Sequence, residues 1–149
     1  VLYPFFYAKT VVAFDECVYR YSVNNSAQSV STENKVKNRE HRERIIKRMM
    51  ALYKEQGFEN GNREFCFLRV ARSVGDHFTT LYVLNPNKKE GRKEARLLSR
   101  YIKESYPEFY RATRKKRALL SVLNRFSVSV RTYERIKKFL GYKEHSSIC

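Results

Sequence analysis

Apolar residues recur at helical spacing through nearly all of residues 35–140, and the pattern is broken at Gly57, at Asn85-Pro86-Asn87, at Pro107 and at Gly141. A period near 3.6 with stops of this kind leaves a bundle of short helices as the expected fold. In the first stretch, from about 35 to 56, Ile45, Met49, Leu52 and Gln56 share one face. Ile46, Met50 and Tyr53 lie beside it, and Arg39, Arg42, Arg44 and Arg48 point largely elsewhere. The second stretch, from about 63 to 84, carries Phe67, Val70, Ala71, Val74, Phe78, Leu81 and Tyr82 around much of its circumference, so it is the expected central helix. The third, from about 88 to 106, turns Ala95, Leu98, Tyr101 and Ile102 inward. Beyond Pro107, Leu119, Val122, Leu123 and Phe126 mark one short helix, and Val130, Tyr133, Ile136 and Leu140 mark another. The helices differ in length and spacing, which excludes a solenoid.

Residues 1–34 read differently. Val11, Val12, Ala13 and Phe14, then Cys17, Val18, Tyr19, Arg20 and Tyr21, are β-branched and aromatic with partial alternation, which predicts extended structure. Residues 24–34 are polar and favour local turns, which predicts a loop. The expected fold class is therefore mainly α: a short extended segment (1–34) followed by a basic helical domain (35–149). The chain opens inside an apolar aromatic run, Val1, Leu2, Tyr3, Pro4, Phe5, Phe6 and Tyr7, and is expected to be a fragment of a longer protein.

Charge narrows the function. Lys and Arg number 31 against 15 Asp and Glu, a net charge of +16. Residues 1–34 hold Lys9 and Arg20 against Asp15, Glu16 and Glu33, so the remainder carries +17. An excess of this size favours anionic partners. A hydrophobic fraction of 42% excludes a disordered basic tail. The densest run holds Arg111, Arg114, Lys115, Lys116, Arg117, Arg125, Arg131, Arg135, Lys137 and Lys138 against Glu134 alone, with apolar residues at helical spacing and Tyr110, Tyr133 and Tyr142 nearby. A basic amphipathic helix of this kind can lie on an anionic bilayer. Equally, Leu119, Val122, Leu123, Ile136 and Leu140 can simply pack on the bundle while the cations are solvated. No apolar run approaches the ~20 residues that cross a bilayer. Cys17, Cys66 and Cys149 stand far apart in no C-x-x-C pattern, as reduced thiols of a cytoplasmic protein do.

Motifs for chemistry are absent. His41, His77 and His145 have no sequence-local ligand partners and read as surface or capping residues. Asp15 and Glu16 would point to opposite faces of an extended segment, and no phosphate-cradling or nucleophile-elbow glycine motif occurs. The expectation is a chain with no catalytic residues and no metal or cofactor site of its own.

The order Tyr7-Ala8-Lys9, Val11-Val12-Ala13-Phe14, Asp15-Glu16-Cys17-Val18-Tyr19-Arg20-Tyr21 and the spaced serines Ser26 and Ser29 resembles the late part of the GT-A domain of bacterial family 2 glycosyltransferases. The likeness covers roughly the first quarter of the chain, with Tyr19 and Tyr21 at the paired aromatic positions. It implies that the whole protein transfers a sugar from a nucleotide-sugar donor to a glycan or lipid-linked acceptor, with a D-x-D motif holding Mg or Mn and a carboxylate general base. Both would lie upstream of Val1, so this piece is expected to be inactive alone. The resemblance also implies that Tyr21, Asn24, Asn25, Ser26, Gln28 and Ser29 contact substrate. The helical part would then cover the acceptor site or hold the enzyme at the inner face of the plasma membrane. Two rival readings rest on charge: a nucleic-acid-binding module that tracks phosphates and stacks bases, and a scaffold for an acidic protein.

Overall fold

The computed structural model describes residues 31–56 and 62–139. The expected extended segment, the substrate residues Tyr21, Asn24, Asn25, Ser26, Gln28 and Ser29, and the stops at Gly57 and Gly141 lie outside the described residues. Within them the chain forms seven α-helices and no strand, a mainly α bundle as the periodicity predicts.

The first helix, α1 (Thr32–Lys37), begins inside the stretch expected to be loop, because the Ser31 side chain accepts a hydrogen bond from the Asn34 N–H at 3.2 Å and caps the first turn. Asn38, at φ −95° and ψ 18°, separates it from α2 (Arg39–Glu55), so the single helix expected from about 35 to 56 is broken there. Ile46, Met50 and Leu52 are the buried residues of α2, whereas Ile45, expected on the inward line, is 46% exposed.

The central helix α3 (Arg63–Thr79) buries Cys66, Val70, Val74, His77 and Phe78 and runs on into a π turn, Thr80–Leu84. At its lower end Tyr53, Phe67 and Phe109 pack ring to ring with centroids 5.1–5.8 Å apart, locking α2 and α3 to the short α5 (Pro107–Ala112). At its upper end Asn85 ends the helix. Its side-chain oxygen accepts from the Asn87 N–H, and Asn87 in turn caps α4 (Lys88–Ser105).

Helix α4 crosses the π turn at Gly91. A Cβ at that position would stand 2.0 Å from the Leu81 carbonyl oxygen, so only glycine permits the approach. Ala95, Leu98 and Ile102 continue the same buried face. On one flank of α4, Glu90 and Glu94 pair with Arg39 at 3.0 Å each and tie it to the start of α2.

The other flank meets α6 (Arg114–Arg125). A turn with Ser127 in the left-handed region (φ 51°) then leads to α7 (Val130–Phe139). The N–H groups of Val128 and Ser127 return to the carbonyls of Leu123 and Asn124, the paired bonds that close a helix C-terminus.

Gly91→Ala is predicted to destabilise the bundle by about 3 kcal/mol, because the methyl meets backbone rather than a yielding side chain. Urea denaturation measures this, and a loss below ~1 kcal/mol would show that α4 can shift without consequence.

Candidate anionic-surface interface

Helices α4 and α6 run antiparallel, held by two polar contacts. Arg92 Nε donates to Asn124 Oδ1 at 2.8 Å, and Arg117 Nη1 donates to Ser99 Oγ at 2.5 Å. As residue numbers rise along α6 they fall along α4. Asn124 is itself buried, and its amide donates to the carbonyls of Tyr82 (2.7 Å) and Lys88 (3.4 Å). These bonds fix the rotation of α6 about its axis.

That rotation overturns two expectations. Arg117 is not a surface cation. It is 9% exposed, its guanidinium lies 3.8 Å from the Tyr110 ring centroid, and it donates further hydrogen bonds to the Tyr110 carbonyl and the Thr113 hydroxyl. A delocalised cation with these partners tolerates burial. The inward row of α6 is therefore Arg117, Leu120, Leu123 and Asn124, which leaves Leu119, Val122 and Phe126 facing outward at 41%, 52% and 75% exposure.

Around this outward apolar stripe stand the predicted cations. Arg111, Arg114, Lys115 and Arg125 are exposed. Lys116 is turned toward α3, pairing with Asp76 at 2.8 Å. Arg131, Arg135 and Lys138 are exposed on α7, which also carries Lys137. The structure thus gathers one set on α6, with Arg111 at the end of α5, and a separate set on α7. It removes Arg117 and ties up Lys116.

A second row of cations was legible but unread in the sequence. Lys89, Lys93, Arg96, Arg100 and Lys103 recur at steps of four, three, four and three, which places them on one face of α4, and all five are exposed.

For chemistry, the described residues offer little. No group of three His, Cys, Asp or Glu is placed to hold a metal among them. The open hollow lined by Tyr53, Arg63, Glu64, Phe67 and Glu108 joins two carboxylates to an arginine but has no buried acid or base. One acid-base cluster does converge, at Glu43, His77 and Lys47. His77, expected at the surface, is fully buried, and neither ring nitrogen has a hydrogen-bond partner. The facing imidazole, and after it the Lys47 ammonium, lower the Glu43 pKa from 4.5 to about 2 against the opposing effect of burial. At 3.8 Å the imidazole is an electrostatic neighbour rather than a donor, and the 2.7 Å Lys47 contact is the tighter of the two. His77 is closed off from solvent where it sits, whereas Glu43 and Lys47 are partly exposed.

Comparison with protein families, curated proteins and solved structures gives no match, so the interface rests on its own geometry. No helix among the described residues is long and apolar enough to cross a membrane.

A depressed carboxylate pKa contributes stability that is present above its unfolded value and lost as pH falls through the folded one. For Glu43 the window runs from pH 4.5 down to about 2. Glu43→Gln is predicted to flatten that limb of the stability curve and to cost on the order of 1 kcal/mol at neutral pH, after allowance for the solvent that reaches the group. Urea melts across the pH range check this, and parallel curves for the two proteins would contradict it.

Proposed function

We propose that this bundle is a non-catalytic helical platform that holds a nucleotide-sugar-dependent glycosyltransferase against an anionic membrane surface, over its acceptor. The observation that carries the docking half is the outward stripe Leu119, Val122 and Phe126, set beside the exposed cations Arg111, Arg114, Lys115 and Arg125. Cations attract phosphate wherever it occurs. Apolar side chains left in water gain where an apolar phase lies next to that phosphate, as at a bilayer interface.

Magnitudes support the pairing. A basic residue near an anionic leaflet contributes about 1 kcal/mol. A Leu, Val or Phe side chain taken fully out of water contributes about 1.5–3 kcal/mol, and partial insertion gives a share of that. Neither set alone anchors a 149-residue chain firmly. Together they give reversible, salt-sensitive docking.

The transferase half is supported by the sequence resemblance of residues 7–29. Sugar transfer would be performed by polypeptide upstream, with the loop 24–31 meeting donor or acceptor.

Flotation of the 149-residue chain with mixed phosphatidylglycerol–phosphatidylcholine vesicles is predicted to recover it, and with phosphatidylcholine alone to leave it in solution. Val122→Ser with Phe126→Ser should weaken binding at least ~10-fold, in line with the apolar area withdrawn. Strong shift of an RNA oligonucleotide with no vesicle binding would overturn the docking reading in favour of nucleic acid. For the transferase half, codons upstream of Val1 should encode a D-x-D motif and an acidic base motif, and an in-frame stop there would count against it.

A further inference from the structure

The five cations of α4 form a ridge rather than a scatter. From Lys89 to Lys103 the axial distance is about 21 Å at the helical rise per residue, with a charge at every turn. None of the five is in an ion pair among the described residues. The acids of the same helix are drawn away. Glu90 and Glu94 are held by Arg39 on the α2 flank, which leaves Glu104 as the exposed carboxylate near the far end.

Arg92 and Ser99 mark the flank of α4 that touches α6, and the ridge occupies the outward face next to that flank. Antiparallel packing lays it alongside the exposed face of α6. One side of the bundle therefore presents a row of cations on α4, Arg114 and Arg125 at the border, and the stripe Leu119, Val122 and Phe126 beyond.

We infer that α4 and α6 together form a two-row membrane-binding face, in which the α4 ridge lies along the phosphate plane of an anionic leaflet while the α6 stripe enters the acyl boundary. This rests on the docking reading above and deepens it, by giving the contact a second helix and a fixed orientation. A leaflet fits better than a linear polyanion for two reasons. The ridge contains no aromatic side chain on which a base can stack: Tyr101, the ring nearest in sequence, is turned to the opposite flank under the Lys47 ammonium, 4.7 Å from its centroid. The aliphatic groups of this side, Leu119, Val122 and Leu97 at 41%, 52% and 56% exposure, offer a base no ring to stack on, whereas acyl chains take them up.

Two charge-matched variants test the inference. In one, Lys89, Lys93, Arg96, Arg100 and Lys103 become Gln; in the other, Lys35, Lys37, Arg44, Arg48 and Lys54 on α1 and α2 become Gln. Circular dichroism first establishes that both keep the helical fold, and neither set lies in the core. Binding to phosphatidylglycerol–phosphatidylcholine vesicles is then followed over a salt series, beside binding of an RNA oligonucleotide. The ridge variant is expected to bind vesicles at least ~100-fold more weakly than the wild type and with a shallower salt dependence, whereas the α1–α2 variant loses no more than ~10-fold. Equal losses in the two would mean that net charge alone matters, and would overturn the inference while wild-type binding keeps the docking reading standing. A ridge variant that loses oligonucleotide but retains vesicles would overturn it in favour of a linear polyanion. Failure of the wild type to bind vesicles would remove the docking reading itself.

Discussion

The bundle depends on how the end of its central helix is closed. Where α3 widens into the π turn, backbone carbonyls are left in the interior without the regular helical partner, and a buried carbonyl without a donor is expensive. Two side chains supply donors: the Asn124 amide to Tyr82, and the Lys88 ammonium to Val83. Burial draws that ammonium below the ordinary lysine pKa, yet it remains the group that caps the turn. Gly91 brings α4 close enough for its first turn to join them, and Arg92 completes the set by donating to Asn124. Three helices are thereby fixed at one point by bonds that tolerate no rotation.

Everything on the outer side follows from that junction. Because Asn124 must face the π turn, Leu120 and Leu123 go inward with it and Leu119, Val122 and Phe126 go outward. Because Arg117 lies on the same inward row, it is stacked on Tyr110 and withdrawn from the surface. The face is thus a consequence of core polar chemistry. An exposed apolar stripe is costly to leave in water, the row of cations beside it attracts phosphate, and in our reading an anionic leaflet meets both.

How much of this the sequence disclosed differs by level. Helix existence and most stops were legible, since Asn85-Pro86 and Pro107 act locally and the apolar period is strong. The break at Asn38 was not, because it lies in a charged run with no Gly or Pro to mark it. Rotation of α6 was illegible for a clear reason. Leu119, Val122 and Phe126 form as good a helical row as Leu120 and Leu123, and the choice between them is made by two polar residues, Arg117 and Asn124, that pattern reading assigns to solvent. His77 misled in the same way. The α4 ridge, by contrast, was open to counting, and was hidden only by the greater density of charge after Arg111. The residues expected to contact substrate, Tyr21 to Ser29, lie outside the described residues.

The depth of individual side chains at a bilayer reports directly which face of the bundle meets a leaflet. Environment-sensitive labels on Cys introduced singly at Phe126, Arg100 and Arg48, in a chain whose Cys17 and Cys149 are Ser and whose buried Cys66 is Ala, can be read by depth-dependent quenching in phosphatidylglycerol-containing vesicles. The label at position 126 is expected at the acyl boundary, that at position 100 among the headgroups, and that at position 48 in water. A bound protein whose Phe126 label stays in water, or whose Arg48 label lies deepest, would contradict that orientation.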